Sequence, residues 1–215
     1  MDAVIENLPR YLSGFLLTLQ LLVVSGVAAF IIGTLVAAMR ISPVASLRGF
    51  ATVYTELVRN TPLTLILFFC AFILPYFGVD LSYIVFATIG LSVYTSPFVA
   101  EALRSGINGV PIGQAEAARS LGLGFGQSVS LVILPQAFRM TIPPLINVLI
   151  ALTKNTSVAG GFFVAELFTI GKELANANGD AVIAILLGVA TFYLIITIPL
   201  GLLAGRIEKR VAVRR

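Results

Sequence analysis

Residues 12–39 carry no charged side chain, and no other property of the chain restricts its fold so strongly. A helix needs about 20 mostly apolar residues to cross the hydrocarbon core of a bilayer, and it satisfies its own backbone where water is absent. Residues 81–100 and 181–205 are also uncharged, and residues 63–77 form an apolar run that extends back through Leu57 and Val58. A fifth stretch, from 140 to about 163, is weaker because Lys154, Asn155, Thr156 and Ser157 interrupt it. Five membrane helices are therefore expected. The chain is 58% hydrophobic and 11% charged, against about 45–50% and 25% in soluble domains, which excludes a water-soluble enzyme. The first run is too long for a signal-peptide core, and Asp2 and Glu6 stand where a basic start would be. It is expected to remain as a helix.

Lysine and arginine set an expected orientation. With five spans, Arg40, Arg48, Arg59, Arg104, Arg119, Arg139, Arg206, Lys209, Arg210, Arg214 and Arg215 collect on one side, and Arg10 and Lys172 on the other. Cytoplasmic loops are enriched in these residues, so the N-terminus is placed outside and the C-terminus inside. A four- or six-span count would put both ends on one side with a much less clean bias. Because the basic residues fall at span edges, the net charge of +4 does not imply nucleic acid. One cysteine and no histidine exclude a disulfide framework, a Cys/His metal cluster and a nucleophile–base constellation. Gly171-Lys172 is followed by Glu173, with Glu166 where a phosphate-binding loop needs its leading glycine, so any ATP belongs to another chain. No strong repeat or linker divides residues 1–215, which are read as one integral membrane domain.

A chain that only reversed direction between spans three and four would need a few residues, yet residues 106–139 are long and patterned. Pro111 suits a first helical position, and residues 112–121 read as a short helix containing Gln114, Ala115, Glu116, Ala117, Ala118 and Arg119. Gly122 stands where a left-handed C-terminal cap belongs, while Gly124 and Gly126 permit a second bend. The small alanines would let this helix seat in a groove of a partner, with Glu116 pairing a basic residue there and Arg119 its counterpart one turn on. An amphipathic helix lying on lipid headgroups is the rival reading, and an alanine-rich, glycine-flanked face with little basic character argues against it.

Glu116-Ala117-Ala118, three residues, Gly122, nine residues and Val132-Ile133-Leu134-Pro135 resemble the EAA loop of ABC importer permeases, with Val132 replacing the usual isoleucine. Arg59-Asn60-Thr61-Pro62-Leu63 after Tyr54 and Glu56, residues 101–107, Gly113-Gln114, Leu134-Pro135-Gln136-Ala137 and Lys154-Asn155-Thr156-Ser157 are similar to the polar amino-acid subfamily. Residues 59–65, 94–125 and 149–157 look most like the glutamate-uptake permeases of actinobacteria. The resemblance implies an all-α permease with five membrane helices and a cytoplasmic coupling helix, in a bacterial cell membrane. It implies half of a pore completed by a sister permease, a cytoplasmic ATPase dimer that receives the coupling helix, and an external amino-acid-binding protein. ATP and magnesium would be held by the ATPase, with no cofactor on this chain. The coupling residues it implies are Gly113, Gln114, Ala115, Glu116, Ala117, Ala118, Arg119, Leu121 and Gly122.

Charges inside apolar spans cost at least ~2.5–3.5 kcal/mol at a helix centre, so Lys154 needs a reason. It contacts an anionic substrate, gates the path, or snorkels to an interface. Pro97 frees a backbone carbonyl in the third span, and discontinuities of this kind mark substrate sites in transporters. Thr95, Ser96, Pro97, Asn147, Thr153, Lys154, Asn155, Thr156 and Ser157 are the candidate path or gate. Interhelical hydrogen bonding explains each hydroxyl equally well. Glu101 is expected to pair with Arg104 at i,i+3, Glu56 and Arg59 to anchor the second span at the interface, Pro143-Pro144 to open the fourth span, and Gly201 and Gly205 to permit close helix approach. Residues 166–180 are read as an external segment, a docking face or a solvated turn. An ion-coupled secondary transporter is the competing function. It predicts carboxylates buried within the spans, none of which is evident, and it leaves the long loop unexplained.

Overall fold

A computed structural model describes residues 2–212, so Arg214 and Arg215 of the charge argument lie outside them. After a helical turn at Asp2–Glu6, the helices are α1 (Leu8–Arg40), α2 (Ala45–Asn60), α3 (Leu63–Tyr76), α4 (Tyr83–Asn108), α5 (Ile112–Ser120), α6 (Phe125–Phe162), α7 (Leu167–Ala177) and α8 (Val182–Ala212). Among the described residues, α1, α4, α6 and α8 are each long and apolar enough to cross a membrane, and α2 with α3 supplies a fifth crossing only as a bent pair.

That bend corrects the expected second span. Between Asn60 and Leu63 the chain turns through 101°, because Pro62 lacks an amide hydrogen and forces Thr61 into extended backbone (φ −95°, ψ 132°). Leu57 and Val58 therefore belong to α2, which packs on α1 and α4, and do not prolong the apolar run of α3. In α3 and α6 a proline follows shortly after a wider π-helical stretch: Phe69–Ile73 precedes Pro75, and Ser128–Ile133 precedes Pro135. A residue inserted into the helical ladder leaves room for a ring that cannot donate.

The fourth span also differs from expectation. Pro143 and Pro144 do not open it. They lie inside α6, which begins at Phe125 and runs 38 residues, about 57 Å at 1.5 Å per residue, far more than a ~30 Å hydrocarbon core requires. Its last turns tighten to a 3-10 helix at Thr156–Phe162. The segment read as external is mostly helix, with one face buried and Lys172, Glu173, Asn176 and Ala177 exposed on the other. It is α7, whose Leu167, Ile170, Leu174 and Ala175 are buried between α1 and α8 with Tyr11, Ile185 and Val189. A second core joins Leu21, Leu67, Leu91, Leu152 and Ala159, and a third joins Val36, Ala37, Ala51 and Ala100. Gly201 and Gly205 face open space in this chain rather than a neighbouring helix.

Candidate functional site: coupling helix and transport cavity

The loop between α4 and α6 forms as its residues dictate. Pro111 is the cap residue, with extended backbone (φ −60°, ψ 138°), and not the first helical one. Helix α5 ends at Ser120, with Leu121 as its C-cap. Gly122 then adopts φ +81°, the Gly122 amide bonds to Arg119 O at 2.9 Å, and the Leu123 amide bonds to Ala118 O at 3.1 Å. This is the two-bond Schellman closure that a left-handed glycine permits. Ala118 faces inward, toward the Ser128–Ile133 stretch of α6 on which α5 packs. Ser128 donates to Leu123 O at 3.3 Å, and Gln136 reaches Gln114 at 3.5 Å.

The opposite face is open. Gly113, Gln114, Glu116, Ala117, Arg119, Leu121 and Gly122 are exposed and Ala115 is half-buried. Ile112, Leu121 and Phe125 present large apolar side chains there, 77%, 82% and 85% exposed. Arg119 does not pair with Glu116, since its Nε donates to Ala115 O at 3.3 Å. Among the described residues no ion pair forms to Glu116. An exposed carboxylate on an alanine surface rimmed by apolar side chains has the composition of a docking face.

The path candidates divide in two. Thr95, Asn147 and Asn155 line one cavity of about 410 Å3 between α4 and α6, with Tyr94, Phe98, Val148, Ala151 and Leu152. Thr95 Oγ1 is buried without a hydrogen-bond partner, so a polar group facing that space goes unused by the protein. Ser96 and Pro97 pack away from the cavity. Pro97 deprives Val93 O of its helical donor, and the hydroxyls of Tyr54 (3.2 Å) and Ser96 (3.0 Å) converge on that oxygen instead. Thr153, Thr156 and Ser157 return their hydroxyls to backbone carbonyls of their own helix at 2.7–2.8 Å. Lys154 is exposed and is not among the residues lining the cavity.

Two features went unread in the sequence. Glu101 pairs with Arg104 as expected, at 2.7 Å, but also with Arg40 of α1, and Arg59 of α2 stands 3.8 Å away. Arg59 is thus more than an interface anchor: its guanidinium lies 5.6 Å from the Phe98 ring that walls the cavity. The other is Glu166, fully buried. It caps α7 between α1, α7 and α8, so a carboxylate is buried in the bundle although it belongs to none of the candidate spans.

A multi-pass bundle with a short helix held off one end is the framework of a membrane transport subunit. The chain belongs to the family of binding-protein-dependent transport system inner membrane components, whose profile matches residues 29–213. It is similar to the glutamate transport system permease protein GluC of Corynebacterium glutamicum, 43% identical over 220 residues that cover 96% of each chain. It is also similar to the probable glutamine ABC transporter permease protein GlnM of Bacillus subtilis, 40% identical over 95% of this chain and 94% of that one. Of solved structures, a chain from an amino acid ABC transporter crystallised with histidines superposes with a TM-score of 0.88 at 28% identity over 96% of both chains. The inward-facing MetNI methionine ABC transporter shares the fold, with a TM-score of 0.72 at 22% identity over 95% and 97%.

Proposed function

We propose that this chain is a pore-forming permease subunit of an ATP-driven importer of glutamate, with residues 1–215 acting as one membrane domain. α1, the bent α2–α3 pair, α4, α6 and α8 are the five crossings, with the N-terminus outside the plasma membrane of a bacterium and the C-terminus in the cytoplasm. The observation that supports this reading is the free face of α5: Glu116 unpaired and Ala117 exposed, on a helix closed at Gly122 and seated on the Ser128–Ile133 stretch of α6. A cytoplasmic ATPase dimer is the partner that fits there. It holds ATP and magnesium, and this chain supplies no catalytic group. A sister permease completes the pore, and an external binding protein delivers the amino acid. Thr95, Asn147 and Asn155 contact substrate in the cavity, and glutamate is favoured by the names of the most similar relatives.

The test is reconstitution with the ATPase and binding protein in vesicles. Nucleotide-dependent, vanadate-sensitive glutamate uptake is expected, and Glu116→Lys should abolish it while ATP hydrolysis continues uncoupled. Wild-type uptake by that variant would remove the coupling role.

One observation favours a second reading. Glu166 is a fully buried carboxylate, the kind of group an ion-coupled transporter uses. Uptake driven by a proton gradient without nucleotide would establish that alternative in place of the importer.

A further inference from the structure

Glu166 has no solvent-accessible surface, lies outside the cavity, and is not used by the coupling helix. A carboxylate without accessible surface persists only if its oxygens are satisfied, and here four donors do so. Oε2 accepts from the Phe168 amide at 2.8 Å and the Tyr193 hydroxyl at 2.9 Å. Oε1 accepts from the Thr169 amide at 2.8 Å and the Thr169 hydroxyl at 3.0 Å. No lysine or arginine of the described residues forms an ion pair with it.

The same carboxylate touches the end of α6. A Cβ on Gly160 would meet Oε1 at 2.7 Å and Thr169 Oγ1 at 2.1 Å, so the Thr156–Phe162 backbone rests directly on this cluster. The Tyr193 hydroxyl also sits beside the hydroxyls of Thr156 and Thr18. Thr156 is buried and follows Asn155, the last residue lining the cavity.

We propose that Glu166 is a positioning residue that, through Tyr193 and Thr156, fixes Asn155 at the rim of the transport cavity. This rests on the reading of that cavity as the amino-acid path. The two carboxylate oxygens suit two donors each. An amide offers one oxygen and turns a donor toward two others, so glutamine at this position cannot reproduce the arrangement. The network then reseats α7, α8 and the 3-10 segment, and Asn155 moves with them.

The experiment uses the complete transporter, with its ATPase and binding protein, in vesicles and in a Cys70→Ala background. N155C or N147C is labelled with a small methanethiosulfonate reagent, with and without glutamate-loaded binding protein. Glu166→Gln and Tyr193→Phe should each change the labelling rate of N155C by about tenfold, the scale of one lost charge-assisted hydrogen bond. N147C should label at an unchanged rate, and glutamate moved per ATP should fall. Tyr193→Phe removes one hydroxyl and keeps the test available if Glu166→Gln fails to assemble. An N155C rate unchanged in both variants overturns the positioning role. Absence of glutamate protection at both N155C and N147C with Glu166 and Tyr193 intact would remove the cavity reading, and this inference with it. Nucleotide-independent uptake abolished by Glu166→Gln would show a proton carrier instead, and also overturn it.

Discussion

The phenolic hydroxyl of Tyr54 on α2 lies 3.2 Å from the carbonyl oxygen of Val93 on α4, the acceptor left without an amide partner by Pro97. The hydroxyl is 2.7 Å from Ser96 Oγ as well. The bent second span is thereby fastened to the proline site of α4, next to the cavity wall at Phe98.

Tyr54→Phe should destabilise the subunit by about 0.5–1.5 kcal/mol, since Val93 O loses one of its two hydroxyl donors and keeps Ser96. The informative measurement is a double-mutant cycle with Pro97→Ala in detergent unfolding. Alanine restores the helical amide to Val93 O, so the tyrosine change should then cost at least about 0.5 kcal/mol less. Strict additivity would show that the two residues are not linked.

Thr95→Val tests the cavity without disturbing the fold. The Thr95 hydroxyl has no partner in the protein, so its loss should leave the melting temperature nearly unchanged. Transport should fall roughly tenfold if that hydroxyl bonds to substrate. Unaltered uptake at subsaturating glutamate would exclude Thr95 from the path.

Glu101→Gln leaves Arg40, Arg59 and Arg104 without their shared anion. Their partial exposure screens the repulsion, so a loss of about 1–3 kcal/mol is expected rather than the larger cost of a fully buried pair. Adding Arg59→Gln should recover part of it. A thermal midpoint insensitive to Glu101→Gln would mean that the cluster holds nothing together.

Gly122→Ala places a Cβ on a backbone with φ +81°, costing about 1–2 kcal/mol. Gly113→Ala adds a methyl to a helical position facing open space, where alanine is favoured by roughly 0.5–1 kcal/mol. Limited proteolysis of the loop should therefore accelerate in the first variant and slow in the second. Equal cleavage rates would contradict the closure assigned to Gly122.

The parts of this fold that were legible in the sequence are those governed by local chemistry. Uncharged runs located α1, α4 and α8, and the Gly122 cap located the end of α5 to within one residue. Prolines misled where tertiary context decides. Pro62 marks a sharp bend that the hydrophobic run passes over without a signal. Pro143 and Pro144 imitate a helix start, yet lie in a helix that begins much earlier. Arg40, Arg59 and Glu101 come from three helices, and only packing brings them together. Glu166 opened a segment with other charges and so read as wet, but the Leu167, Ile170 and Leu174 spacing was a readable sign of a buried face.

The unbroken run of α6 from beneath α5 to Asn155 means that the two ends share a single axis. Under the proposed coupling role, a push received at Ser128 would reach Asn147, about 28 Å away along the helix, as a change of slope. The α4 wall opposite is clamped by Tyr54 above and by the arginines around Glu101 below. Under that same role, opening and closing of the chamber would amount to one rod tilting against a braced post, with the wider π-helical turns near its base as the place to bend.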